Sequence, residues 1–202
     1  MVTNSIQTNN LSQEKPIFLL RRVAHPLTPT LIFGALAFLI ALLSLHFQPR
    51  SWLSTFSLLV LGVLFWTPTE YILHRFVFHL TQVKEPWKSI ASSLHMEHHR
   101  NVQTQNLIIA PPGVALIFST LIYLFSLIFT QSFSVSALLI SGLYIGYIFY
   151  EWAHFSAHRY HPKNKIAAYL KQYHLAHHFK YPSSTFGVTN PFWDWVFGTF
   201  KK

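Results

Sequence analysis

The sequence predicts an all-α integral membrane protein with four transmembrane helices, and two observations support this prediction. The first is composition: 51% of the 202 residues are hydrophobic, only 10% are charged, and the mean hydropathy is +0.30. A soluble domain usually carries about a quarter charged residues. The second is that the apolar residues fall into four long stretches. A chain of this length is expected to form one main domain.

The four apolar stretches lie at about 31–47, 51–66, 111–130 and 133–150. The first two are short for a span of about 20 residues. Because Gln48-Pro49-Arg50 between them is typical of a tight turn, we expect a helical hairpin. The second helix is expected to continue past the membrane surface through Tyr71 and to carry His74. The third is expected to start at Pro111-Pro112, where the missing N–H groups cost nothing.

The first 30 residues are expected to form a polar N-terminal segment, and residues 31–202 the membrane domain. Met1–Lys15 is rich in Asn, Gln and Ser, is expected to be frayed, and does not have the pattern of a cleavable signal peptide. The sequence contains no cysteine. This excludes disulfides, iron–sulfur clusters and thiolate-bound zinc.

The net charge of +9 is distributed in a way that predicts the topology. With four spans, Arg50 and the turn Gln131-Ser132 face one side, whereas the other fourteen of the fifteen Lys and Arg residues face the opposite side. The positive-inside rule then places both termini in the cytoplasm, in either a bacterial inner membrane or an ER membrane. No nucleic-acid-binding module is recognisable, so we expect no nucleic-acid partner.

Ten of the thirteen histidines form four short clusters, each beside an apolar stretch. Histidine is the commonest metal ligand, and ten ligands are too many for one ion, so the clusters predict two metals that each take about half of the set. In the predicted topology all four clusters lie on the cytoplasmic side and form a helical cap. They are His74 and His79; His95, His98 and His99; His154 and His158; and His174, His177 and His178.

Helix geometry supports metal ligation by these clusters. His154 and His158 share a helix face at i, i+4 spacing. In each H-x-x-H-H run the last two histidines diverge by roughly 100°, so one run could supply two adjacent metals. His74 and His79 diverge on an ideal helix, so they either serve different ions or lie at a helix end. The isolated His25, His46 and His161 are interpreted as interfacial polar residues.

The clusters resemble those of the integral-membrane fatty acid hydroxylase and sterol desaturase superfamily. The tail is more specific, because it closely resembles the catalytic domain of fatty acid 2-hydroxylases. It reads Tyr173-His-Leu-Ala-His-His178-Phe-Lys, then Phe186-Gly-Val-Thr-Asn190, then Phe192-Trp-Asp-Trp-Val-Phe-Gly-Thr199. The resemblance extends from about Glu70 to Thr199.

This resemblance implies that all ten clustered histidines bind a two-metal centre and that no further residue is catalytic. It implies two iron ions, with zinc as an alternative occupant in preparations, and O2 as co-substrate. It also implies hydroxylation of a lipid acyl chain at C-2. Many eukaryotic relatives carry an N-terminal haem domain that supplies electrons. The segment before Leu31 is too short for such a domain, so we expect an electron-transfer protein acting in trans or a different reductant.

Two groups of residues near the histidines have two interpretations each. Glu70, Glu97 and Glu151 could each orient a ligand through its second ring nitrogen; alternatively, Glu70 and Glu151 lie in the headgroup zone. The aromatic residues of the tail could anchor it at the bilayer interface or cover the metal site and line a lipid groove. These aromatic residues are Phe192, Trp193, Trp195 and Phe197.

Three classes of function are therefore considered. The first is the acyl hydroxylase, and the second is a carotenoid or sterol hydroxylase or desaturase, which the tail motif argues against. The third is a non-enzymatic metal-binding membrane protein. A transporter would place ionisable residues within its spans, whereas the polar residues of the third and fourth spans are Ser, Thr and Tyr.

Overall fold

The computed structural model describes residues 23–80, 83–84 and 87–202, so most of the predicted N-terminal segment lies outside the described residues. Within these ranges the chain is helical and contains no strand, which confirms the predicted all-α class. Four helices are long and apolar enough to cross a membrane. They are α1 (Leu27–Phe47), α2 (Trp52–Leu73), α5 (Pro112–Thr130) and α6 (Phe133–Arg159).

The short elements lie between and after these four helices. A π-helical turn, His74–Phe78, continues α2, and a second π-helical turn, Ser92–Met96, lies between α3 (Trp87–Ala91) and α4 (Glu97–Arg100). A 3-10 turn at Gln105–Leu107 precedes α5, and α7 (Lys165–Phe179) and α8 (Phe192–Val196) follow α6. All the histidine clusters therefore lie at the end of the bundle where α2 and α6 finish.

α6 is the central helix of the bundle, and the other three spans expose apolar side chains. α6 packs against α1, α2, α5 and α7, and 67% of its most apolar window is buried, against 17% for α1, 28% for α2 and 11% for α5. The exposed side chains of these three include Leu31, Phe65 and Phe129. A surface of this kind is compatible with lipid and not with water, so the protein is an integral membrane protein.

Glycine permits a close approach between α2 and α6. A Cβ added at Gly62 would lie 2.2 Å from the Leu139 carbonyl oxygen, and one at Gly142 would lie 2.1 Å from that of Leu59. Small residues let membrane helices approach in this way, because packing drives their association. The contact fixes the two helices that carry His74 and His154.

The positions at which the helices begin and end determine where the histidines lie. Ser51 caps α2 by accepting a hydrogen bond from the Ser54 N–H at 3.2 Å, and α5 begins at Pro112. α2 runs past Trp66 and carries His74 at its end. α6 continues beyond Tyr150 to Arg159, which places His154 and His158 on its last two turns.

Candidate metal centre

The structure brings all ten clustered histidines together in two groups of five. In each group, one ring nitrogen from every histidine lies within 4.8 Å of the others. We call these groups the first site and the second site. The first site consists of His74, His79, His95, His99 and His177, and the second of His98, His154, His158, His174 and His178.

Each of the two H-x-x-H-H runs contributes histidines to both sites. His95 and His99 lie in the first site, while His98 of the same run lies in the second. The C-terminal run has the opposite arrangement, because its i, i+4 pair lies in the second site and His177 in the first. The sites therefore adjoin, and the rings of His99 and His178 stack across them with centroids 4.1 Å apart. This is the division between adjacent metals that the spacing of the runs allows.

His74 and His79 share the first site because the helix between them is a π-helix. The His79 N–H donates to the His74 carbonyl at 3.1 Å, an i→i+5 hydrogen bond. In a π-helix, residues five apart align, whereas in an α-helix they diverge. The sequence left two alternatives for this pair: binding to different ions, or a position at a helix end. The structure shows the second, because both histidines lie at the end of α2 and belong to the same site.

The spacing of the ring nitrogens fits metal ions with imidazole ligands. Neighbouring Nε2 atoms in the first site lie 3.0 Å apart for His74–His95, 3.1 Å for His95–His99 and 3.0 Å for His79–His177. In the second site the His98–His158 and His158–His174 pairs lie 3.1 and 2.8 Å apart. Two ligands at right angles around an ion with bonds of about 2.1 Å would lie about 3.0 Å apart. Both groups can thus hold a metal ion.

Burial keeps these imidazoles in the neutral, metal-binding form. Desolvation, followed by the neighbouring histidines, lowers the pKa of His79 to about 2 and of His99 to about 3. It lowers the pKa of His177 to about 4, against a weaker opposing effect of the Ser184 carbonyl. Desolvation and nearby histidines also hold the pKa of His178 well below its usual value. Metal ligation requires the neutral ring, so the centre needs no deprotonation at neutral pH.

Two backbone carbonyls orient ligands of the first site. The His74 Nδ1–H donates to the Phe186 carbonyl, and the His177 Nδ1–H donates to the Ser184 carbonyl at 2.8 Å. Partners of this kind fix the tautomer and leave Nε2 free for a metal. Both carbonyls belong to the segment between α7 and α8.

Glu70 binds this same segment instead of a histidine ring. One carboxylate oxygen accepts the N–H groups of Val188 and Thr189 at 2.6 and 2.9 Å, and the other accepts the Thr189 hydroxyl. Glu70 is only 2% exposed. It lies beside the centre and acts on the chain that carries the Phe186 carbonyl, which differs from the direct contact with a ring that its spacing from His74 predicts.

Asp194 is the buried carboxylate that the sequence reasoning missed. Its two oxygens accept the N–H groups of Phe186 and Gly187, each at 2.7 Å, and one also accepts the Thr199 hydroxyl at 2.7 Å. The side chain is fully buried. Its signal in the sequence is a single acid within the run Phe192-Trp-Asp-Trp-Val, because an acid in so apolar a run is buried only when it is paired.

The other two predicted carboxylates do not contact a histidine through any hydrogen bond described here. Glu151 is fully buried and accepts the Ala110 N–H at 3.3 Å, which ties α6 to the start of α5. Glu97 forms a surface pair with Arg100 at 3.6 Å and accepts from the Asn101 side chain at 2.8 Å.

The aromatic tail divides between packing and exposure. Trp193 donates from its indole N–H to the Thr67 hydroxyl at 3.0 Å, and the Phe197 ring stacks on Tyr71 with centroids 5.1 Å apart. The Phe192 and Trp195 side chains are 54% and 71% exposed, and Phe197, although stacked on Tyr71, is 51% exposed. The first pair therefore docks the tail on α2, and the second is available to the bilayer interface.

The three isolated histidines lie outside both sites. The His25 ring packs edge-on against Trp152 and Phe155. His46 contacts Phe47 near the far end of α1, and His161 is exposed after α6.

Comparison with known proteins agrees with this site. Residues 59–199 match the family model described as fatty acid hydroxylase. Dihydroceramide fatty acyl 2-hydroxylase FAH2 of Arabidopsis thaliana is 38% identical over 140 residues, 68% of this chain and 58% of that protein. Fatty acid 2-hydroxylase of Mus musculus is 32% identical over 148 residues, 70% of this chain and 39% of that protein. The chain thus spans about two to three fifths of the length of these relatives.

A solved structure also matches the fold. The structure described as full-length Scs7p, with only its hydroxylase domain visible, superimposes with a TM-score of 0.81 at 28% identity. The match covers 91% of this chain and 69% of the Scs7p chain. Fold and site define a membrane protein whose histidine-rich centre could hold metal ions. The chain belongs to the fatty acid hydroxylase family, which confirms the resemblance found in the sequence.

Proposed function

We propose that this protein is a membrane-bound monooxygenase that hydroxylates a lipid acyl chain at C-2, with the ten histidines as ligands of two metal ions. The observation that carries the proposal is the pair of five-histidine sites at one end of an apolar bundle of membrane-spanning helices, where α2 and α6 finish. The names of the relatives support the acyl substrate and the position. In the reaction one C–H bond becomes C–OH, while O2, two electrons and two protons provide the inserted oxygen and one water.

The described residues contribute positioning rather than acid–base chemistry. Two iron ions, when bound, would supply the oxygen activation that an unactivated C–H bond requires. Ten neutral imidazoles hold such ions without adding negative charge. The electrons would come from an electron-transfer protein acting in trans.

An apolar cavity between α2, α5 and α6 supports an acyl-chain substrate. Its lining includes Phe78 and Tyr150 at the end near the sites, and Val114 and Phe118 along α5. The Phe78 ring stacks on His95 with centroids 5.5 Å apart, and the Tyr150 ring lies 5.7 Å from that of His154. The cavity thus ends one side chain away from each site. Its volume is only about 40 Å³, so an acyl chain with its carbonyl end at the histidines would have to displace some of the lining side chains.

A second apolar pocket continues along α5 and α6 toward the other end of the bundle. It is lined by Leu61, Phe65, Phe125, Phe129, Leu139 and Ile140. Ile122 and Leu143 line both pockets and pack in one cluster, so the two pockets adjoin at these residues. From Val114 to Phe129 the two pockets follow about 22 Å of helix, a length suited to a long acyl chain.

The orientation we propose places both termini and both sites in the cytoplasm. It is supported by the fourteen Lys and Arg residues on that side against one on the other. The domain boundary we propose is a polar segment at 1–30 followed by a hydroxylase domain at 31–202. Reporter fusions at Arg50 and after Lys202 test the orientation. A reporter after Lys202 that lies outside the cytoplasm would contradict the proposed orientation.

The function is tested by expressing the chain in cells that lack 2-hydroxylated acyl lipids. We expect mass spectrometry to detect 2-hydroxy acyl chains whose oxygen comes from labelled O2 and not from labelled water. A His98→Ala variant is the inactive control. If carotenoids or sterols gain oxygen while the acyl chains do not, the alternative oxygenase is correct. If the protein binds metal and no lipid is hydroxylated, the interpretation as a non-enzymatic metal-binding protein is correct.

A further inference from the structure

Four consecutive backbone N–H groups after α7 are held by two buried carboxylates. Asp194 accepts those of Phe186 and Gly187, and Glu70 accepts those of Val188 and Thr189, all at 2.6–2.9 Å. One of these acids belongs to α8 and the other to α2. The segment is therefore fixed to two separate elements.

The segment leaves no room for a side chain where Asp194 holds it. A Cβ on Gly187 would lie 2.0 Å from the Asn190 carbonyl oxygen and 3.0 Å from the Asp194 carboxylate. Just before it, the Thr185 N–H donates to the Thr199 carbonyl at 3.0 Å. The Ser184 and Phe186 carbonyls are thus fixed in position by the hydrogen bonds of their neighbours.

Both of these carbonyls act on the first site only. They accept from His74 and His177. The Asp194 carboxylate also binds the Gly187 N–H, which belongs to the same peptide group as the Phe186 carbonyl, so it polarises that carbonyl and favours a stronger hydrogen bond from the imidazole. In the second site, the Nδ1 atoms of His154, His174 and His178 have no hydrogen-bond partner among the described residues. The hydrogen bonds from Ser184 and Phe186 therefore support the first site.

We propose that Glu70 and Asp194 are positioning residues that act through Ser184–Thr189 on His74 and His177, and so make metal retention at the first site depend on the tail. This inference rests on the proposed two-metal centre. We call the hydrogen bonds that Glu70 and Asp194 form with this segment the clamp. The second site depends instead on the helices α6 and α7, and it retains its ion when the clamp is broken. The two metals are consequently unequal in affinity and environment.

The test measures metal, not activity. Wild-type protein and the variants Asp194→Asn, Glu70→Gln and Gly187→Ala are purified in detergent, loaded with iron, challenged with a chelator and analysed for metal per chain. Glu97→Gln is the matched control, because Glu97 is a surface acid beside ligands of both sites. We expect about two ions in the wild type and the control. We expect about one in the clamp variants, with a roughly tenfold or greater increase in the rate of loss of the first ion.

Mössbauer spectra of iron-loaded protein separate a selective effect from general unfolding. We expect one of two iron signals to change in each clamp variant while the other stays at its wild-type position. Gly187→Ala keeps both carboxylates, so it tests the clamp even if one acid variant fails to fold. Loss of both ions together, or retention of both, overturns the inference. A wild-type protein without metal would instead overturn the proposed function.

Discussion

The two five-histidine sites have the same ligand type and number but are held in different ways. The second site takes four ligands from two regular helices, with His154 and His158 on α6 and His174 and His178 on α7. The first site takes its histidines from two π-helical turns, from the residue that follows the first of these turns, and from α4 and α7. It also takes two carbonyl contacts from the tail. Rigid helices define one site, and a clamped segment completes the other.

Removing one ligand from each site should have the largest effect. His98→Ala removes a ligand of the second site and His177→Ala one of the first, and both rings are fully buried. We expect each variant to lose about one metal per chain, each from a different site, and to lose hydroxylation by at least ~100-fold. Elemental analysis and lipid mass spectrometry measure both. His161→Ala is the control. Loss of the same ion in both variants would break the division into two sites.

Disturbing the helix contact beneath both sites should affect them equally. In Gly142→Ala the new methyl group lies 2.1 Å from the Leu59 carbonyl oxygen, and we expect destabilisation of about 1–3 kcal/mol. Gly34→Ala is the matched control, because a Cβ there meets nothing within 4 Å. Thermal unfolding in detergent should show a lower Tm for Gly142→Ala alone, with proportional loss of both ions. Selective loss of one ion would show that α2 and α6 do not support both sites.

Acidification should distinguish His177 from its neighbour His178. Burial lowers the pKa of both, but the Ser184 carbonyl and Asp194 partly restore that of His177, to about 4. Below their usual pKa of about 6.5 the unfolded chain binds protons that the folded chain excludes, so the metal-free protein loses stability as the pH falls. We expect the Tm to fall from pH 7 toward pH 4, and His177 to protonate before His178 in NMR titrations of labelled histidine. The reverse order would contradict the proposed support of the first site.

The sequence predicted which histidines would come together better than it predicted the groups that hold them in place. Spacing alone placed His154 with His158 and allowed each H-x-x-H-H run to serve two metals, because α-helical geometry is regular. The pairing of His74 with His79 needed a π-helix, which spacing did not select. Asp194 and Glu70 act through hydrogen bonds between residues that are 8 and 118 positions apart in the sequence. The apolar run around Asp194 signals that this acid is buried, but the identity of its partners, and of those of Glu70, depends on how the tail folds back.

A change in the membrane cavity should leave both sites intact and alter only the substrate. Ile122 and Leu143 line both the inner cavity and the outer pocket, so Ile122→Ala should enlarge the space between them and admit longer acyl chains near the sites. We expect two metals per chain, as in the wild type, and a shift of the 2-hydroxylated products toward longer chains. Ile117→Ala is the control, because Ile117 is 45% exposed on the same helix. An unchanged chain-length profile with full metal content would show that the Ile122 side chain does not contact the acyl chain. Loss of metal would instead show that the cavity wall supports one of the two sites.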